Sequence, residues 1–469
     1  MSSGDGRIER DSLGTVTVPQ DRLWGASTQR ALGNFPRSAM PQHPALIAAL
    51  ARIKLAAARA NRDLGLLPAA IAELIEQACQ DVLAGRVGGE HFPVDVFQTG
   101  SGTSSNTNLN EVIANRCAQL ARKPLGAKDP VHPNDHVNRC QSSNDVFPSA
   151  TQLAALALHA TRLDPALARL EAGLYRKAVE FADVVTIART HLQDATPITV
   201  GGRCAGWAAQ VAQARARLVV ARDELLALPL GGTAVGTGLN AHPRFAAEAI
   251  AGLAALTGFP LREAEDHVAA QGARDGVVAF SGMLRTAAVA LSKVANDLRL
   301  LASGPRCGFG ELVLPTLQPG SSIMPGKVNP VACESAIQAC LQAIGNDATV
   351  ALAGLGGIGS ILELNVAMPV MARNVLESID LLAGAAGVLA ERAVSGLTCD
   401  QARCADLVGR SLALATALAP VLGYDRAAAI AQRAWREGRT VAEVAAEEGS
   451  LPAEELARVL DPRAMLRPR

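Results

Sequence analysis

Residues 283–301 read "MLRTAAVALSKVANDLRLL". Leu284, Leu291 and Leu298 recur every seven residues, and Ala287, Val294 and Leu301 form a second such row. Neither Gly nor Pro interrupts the run, so the two rows form the a/d seam of a bundle or coiled-coil helix. A helix of this kind must bury its stripe against others, and the spacing therefore predicts a helix bundle. A similar stripe runs through Val375, Ile379, Leu382, Ala386 and Leu389, and helical spacing is already present from Leu153, Leu156, Ala160 and Leu163. Nearer the N-terminus, residues 43–65 read as one helix, with Pro44 at its start and Gly65 at its end.

Composition agrees with this reading. Ala and Leu dominate the apolar residues and aromatic residues are only 3% of the chain, a bias toward helix formers and away from strand formers. A length of 469 residues suggests about three domains. We expect an all-α chain divided at 1–140, a mixed and helical N-terminal domain, 141–364, a central bundle of long helices, and 365–469, a small C-terminal helical domain. Residues 1–40 read as irregular and polar with alternating pieces such as "TVTV", and 94–145 as loop-rich with one helical piece near 109–122.

Lys plus Arg and Asp plus Glu both total 44, so no general basic field exists to draw nucleic acid or anionic membrane. An anionic ligand must be held by a local site. The nine cysteines are scattered without a C-x-x-C pair, which fits reduced thiols better than a disulfide framework or a zinc site. The N-terminal "MSSGDGRIERDSLG" has no apolar core of a secretory signal, and uncharged stretches such as 225–243 are broken by Gly and Pro. A cytoplasmic location is expected.

Four polar stretches are candidates for chemistry: "TGSGTSSNTN" (99–108), "HPNDHVNRCQSSND" (132–145), "RTHLQD" (189–194) and "GSSIMPGKVNP" (320–330). Alone, each reads as an ordinary loop. Together, each opening a helical run, they offer backbone N–H groups and Ser, Thr and Asn side chains suited to carboxylates. Lys327 supplies the single cation a small dicarboxylate would seek, His191 is suited to proton transfer near neutral pH, and Glu334 follows in the next helical run. "GLGGIG" (354–359) imitates a dinucleotide fingerprint, but helix rather than strand precedes it; "GGTAVGTG" (231–238) lacks the end of a P-loop and reads as a connection.

With these motifs in place, the chain resembles the class II fumarases of the fumarase/aspartase superfamily over nearly its whole length. "GSSIMPGKVNP" resembles the superfamily's signature loop, and "TGSGT", "HPND", "SSND", "RTHLQDATP", "GGTAVGTGLN" and "ASGPRCG" follow the family order. Aspartases typically carry Gln in place of His191, S-T-N in place of Ser142-Ser143-Asn144, and P-A-K in place of Pro325-Gly326-Lys327. The resemblance implies three helical domains, a homotetramer built on the long helices, active sites shared among three subunits, and no metal or organic cofactor. It implies reversible hydration of fumarate to L-malate in the tricarboxylic acid cycle. An aspartate ammonia-lyase and a non-catalytic dicarboxylate-binding oligomer are the alternatives.

By the same resemblance Ser321 corresponds to the catalytic base, His191 to the residue exchanging a proton with water, and Glu334 to the partner of that histidine. Ser101, Gly102, Thr103, Ser142, Ser143, Asn144, Thr190, Ser322, Lys327, Val328 and Asn329 match substrate-contacting positions. His132, Pro133, Asn134 and Asp135 match a second carboxylate site. Two departures stand out. Asp129, beside Lys128, occupies the position where fumarases often place an arginine, and "GGRCAGW" after Val200 lacks the usual Gln-Glu pair.

Overall fold

The computed structural model describes residues 6–35 and 38–467; Met1–Asp5, Pro36, Arg37, Pro468 and Arg469, which include the start of the polar N-terminal stretch, lie outside it. Helix makes up 62% of the structure, and no described strand exceeds seven residues, which settles the class as all-α.

A hairpin, β1 (Gly6–Asp11) and β2 (Gly14–Pro19), opens the described chain. The segment expected to be irregular pairs because "TVTV" alternates and Gly14 takes a positive φ at the turn. Then come α1 (Ala26–Asn34), α2 (Pro44–Asp63), α3 (Ala69–Leu83), α4 (Thr103–Leu120), α5 (Ser143–Leu158) and α6 (Asp164–Glu180). A second hairpin follows, β3 (Val185–Thr190) and β4 (Gln193–Thr199), and then α7 (Val200–Ala221), α8 (Phe245–Thr257), α9 (His267–Gly272), α10 (Asp275–Leu301), α11 (Val331–Gly354) and α12 (Met368–Val388). Short helices, among them Tyr424–Glu437 and Val441–Glu447, complete the chain.

The quoted seam is the inner face of α10: Leu284, Ala287, Leu291, Val294 and Leu298 are all at most 1% exposed. Each such leucine contributes roughly 1.5–3 kcal/mol by burial. By length and apolarity α10 could cross a membrane, but its buried stripe and its charged Arg285, Lys293, Asp297 and Arg299 mark a core helix. The stripe on α12 is equally buried. Helix α4 begins six residues before the expected piece, because Ser105, Asn106, Asn108 and Asn110 are buried rather than lying in a solvated loop. "GLGGIG" follows α11 and leads into a two-residue hairpin.

Two compact units emerge. One comprises 1–164, 216–288 and 341–382, and the other 165–215, 289–340 and 383–469. They do not coincide with the three ranges read from sequence, because α7, α10, α11 and α12 each contribute residues to both. In the first unit α2 packs on α3, α5 and α8, and α4 on α1, α3 and α5. In the second, Ile187 of β3 packs into a cluster that includes Val408, Leu418, Ile430, Val441 and Val444.

Candidate active-site elements

In the first unit, three segments meet at the N-termini of α4 and α5. Gly102 is the N-cap of α4 with φ +74°, and a Cβ there would lie 2.1 Å from Cδ2 of buried Phe147. A Cβ on Gly100 would lie 1.7 Å from the carbonyl oxygen of Val366. Only glycine fits either position. The hydroxyls of Ser101 and Thr103 are 2.8 Å apart, and Thr103 Oγ1 is 2.6 Å from Ser143 Oγ. Three predicted residues are thus joined in one hydrogen-bonded chain.

Ser142 caps α5 and accepts from Asn144 N at 3.2 Å, while its own N–H donates to Asp145 Oδ1 at 2.9 Å, a capping box. Asp145 Oδ2 also accepts from the backbone of Gly231 and Thr233, at 2.9 and 3.0 Å, and Asn144 Nδ2 donates to Ala234 O. Asp145 therefore ties "SSND" to "GGTAVGTG". Burial pushes its pKa up to about 6, against the backbone N–H bonds and Lys54, which favour the charged form.

Lys54, on α2, is fully buried and donates to Asn138 Oδ1 and Gln141 Oε1 at 2.9 and 3.0 Å. Desolvation brings its pKa down to about 7, with Asp145 the main opposing influence. Sequence reasoning missed both residues. Their signals were an acidic residue three after Ser142 and a lone lysine between Ile53 and Leu55 in an apolar helix.

The second-site residues form a π-helical turn, Pro133–Val137. His132 Nδ1 accepts from Asn134 N and Asp135 N at its start, and burial lowers the pKa of His132. A 200 Å³ cavity beside it is lined by Lys128, His132, Pro133 and Asn134, but also by Glu9, Asp11 and Glu111. Asp129 pairs with Lys123 at 3.2 Å. Glu9 is paired with Arg7 and Asp11 with Arg30, each at 2.7 Å, and burial raises the pKa of Glu111.

In the second unit, Thr190 ends β3 and His191 occupies the hairpin turn with Leu192. Their φ values, +56° and +60°, are those of a two-residue turn normally built from Asn and Gly. "RTHLQD" therefore does not open a helix; α7 begins only at Val200. His191 is exposed and makes no hydrogen bond or ion pair with Glu334 within the chain.

The signature loop is pinned at its neck: Gly320 N donates to Lys327 O, and Asn329 Nδ2 to Gly320 O, both at 2.8 Å. Inside it, Ser321 Oγ accepts from Ile323 N at 3.2 Å and Met324 N at 3.1 Å. Two backbone dipoles thus converge on one hydroxyl oxygen and favour negative charge there. Ser322 to Val328 are exposed, and the Lys327 ammonium has no partner among the described residues.

Residues 14–345 match a family model described as a lyase, and 414–467 match one described as the C-terminus of fumarase C. The chain is 50% identical to a class II fumarate hydratase of Thermosynechococcus vestitus, over 97% of this chain and 96% of that protein. It is also 50% identical to a class II fumarate hydratase of Pseudomonas aeruginosa, over 98% of each. The crystal structure of a class II fumarase from Schistosoma mansoni superposes with a TM-score of 0.94 at 38% identity, covering 98% of this chain and 99% of that one.

Proposed function

The chain belongs to the class II fumarate hydratase family, and we propose that it interconverts L-malate and fumarate by anti elimination and addition of water. The observation that carries the mechanism is the pair of backbone N–H groups aimed at Ser321 Oγ. A serine hydroxyl is a weak base in water; two fixed donors lower the cost of its alkoxide. Ser321 takes the C3 proton of malate, and the electron pair moves into the adjacent carboxylate as a doubly charged aci-carboxylate. Lys327 and Asn329 hold that charge, with Thr190, Ser322 and Val328 around it. His191 then gives a proton to the departing C2 hydroxyl, the C2–O bond breaks, and fumarate and water result. Glu334 charges or orients His191. Ser101, Gly102, Thr103, Ser142, Ser143 and Asn144 receive the other carboxylate at two helix N-termini.

The functional unit is a homotetramer whose sites draw on three subunits. Support comes from exposed apolar residues on the long helices (Val219, Val220, Val289, Leu341 and Leu352) and from the separation of the site residues into two sets. Light scattering should give four times the chain mass.

The test of the reaction is ultraviolet absorbance of the purified protein with L-malate, without added metal or cofactor. Absorbance should rise as the fumarate double bond forms and fall when fumarate is supplied instead. A flat trace in both directions refutes the proposal, and ammonia release from L-aspartate would replace it with the aspartase reading.

A further inference from the structure

We infer that Glu311 is a positioning residue for the half-reaction assigned to His191, acting through Arg189 and Arg203. The inference rests on the proposed function. Glu311 is fully buried. Its carboxylate accepts from Arg189 NH1 at 2.5 Å, Arg203 NH1 at 2.9 Å and Thr186 Oγ1 at 2.6 Å. Arg203 also donates to the Ile187 carbonyl at 2.5 Å, and the Arg189 guanidinium lies 4.2 Å from the Phe309 ring centre. Three of these partners, Thr186, Ile187 and Arg189, lie on β3, whose end presents Thr190 and His191.

Glu311 is itself held from elsewhere: its N–H donates to Leu301 O at the end of α10, and its carbonyl accepts from Asp400 N, both at 3.0 Å. The stretch where the family's Gln-Glu pair is missing therefore has a local consequence. It supplies Arg203, a second guanidinium for one buried carboxylate.

The hairpin needs such an anchor. A two-stranded ribbon is marginal on its own. Its turn holds two side-chain-bearing residues at positive φ, and such geometry persists only where its surroundings enforce it. The register also shifts between Ile187 and Arg189, so regular pairing does not carry the turn by itself. Two charge-assisted bonds, one from each arginine, to a buried carboxylate whose backbone is tied to Leu301 and Asp400 do.

The test separates positioning from bulk stability. In the proposed sequence the C3 proton leaves before the C2–O bond breaks. If His191 is misplaced, the aci-carboxylate returns to malate more often. With L-malate in deuterium oxide, Glu311→Gln should lower kcat by about 10–100-fold with KM moving less than about threefold. The ratio of deuterium entering C3 of recovered malate to fumarate formed should rise at least about tenfold. Arg203→Met, which leaves the Glu311–Arg189 pair, should shift the ratio the same way by about threefold and decides the matter if Glu311→Gln does not fold. An unchanged ratio in the folded variants, whether or not turnover falls, overturns the inference. Failure of the unaltered protein to dehydrate malate would instead overturn the function on which it rests.

Discussion

Replacing Gly102 by alanine tests how the first set of site residues is built. Two separate costs follow from the geometry. The backbone φ of +74° is left-handed, which costs a residue with a Cβ roughly 1–2 kcal/mol. The new Cβ would also lie 2.1 Å from Cδ2 and 2.4 Å from Cγ of Phe147. That ring is fully buried and cannot swing into solvent, so the clash must move backbone or neighbours, costing about 1–3 kcal/mol. The expected loss is about 2–5 kcal/mol, a large share of a typical folding free energy. The motion that relieves the clash separates α4 from α5 and opens the Thr103–Ser143 hydrogen bond, so KM for malate should rise at least about tenfold. Urea denaturation followed by circular dichroism gives the first number, and malate saturation the second. Combining Gly102→Ala with Phe147→Ala, which removes Cγ together with the ring, should recover the packing share, with a favourable coupling of about 1 kcal/mol or more, and leave the φ share in place. A Gly102→Ala protein within about 0.5 kcal/mol of the parent, or a double variant without coupling, would refute the reasoning.

Other expectations can be checked with the same preparations. Lys54 has its pKa lowered to about 7 in the fold from an ordinary 10.5, so the unfolded chain binds the extra proton between those values. Its contribution to stability is therefore present above about 10.5 and lost as pH falls through about 7, an effect on the order of a few kcal/mol. Asp145, raised to about 6, acts the other way: its contribution is present below its ordinary 3.8 and lost as pH rises through about 6. Lys54→Met should flatten the rise in the urea midpoint between pH 7 and 10, and an unchanged slope would dismiss the buried ammonium as its source. Ser321→Ala should lower malate dehydration by about 10²–10⁴-fold, the range for a lost general base, and turnover near that of the parent would remove the assigned role. Lys327→Met should cost about 1.5–3 kcal/mol of transition-state stabilisation, read as a 10- to 150-fold fall in kcat/KM, and a smaller loss would point to another cation.

How far the sequence could be read depended on the range of the interaction involved. A stripe such as Leu284, Leu291, Leu298 is a local repeat, and any chain carrying it must bury that face. The helical class, the long helices and the polar breaks between them were therefore legible without coordinates. So were the helix starts that "SSND" and the signature loop introduce, at Ser143 and Val331.

The turn at His191 was not legible, because His-Leu has no intrinsic preference for positive φ. The hairpin around it is anchored by Glu311, more than a hundred residues later, and by Arg203 in the following helix. Lys54 and Asp145 show the same limit from another direction: as letters they are ordinary surface charges. The sequence by itself determined which faces must be covered and which loops could hold an anion. The tertiary structure alone decided which charges lose their water, which partners compensate them, and which strained turn those partners hold, because desolvation depends on neighbours that no local window contains.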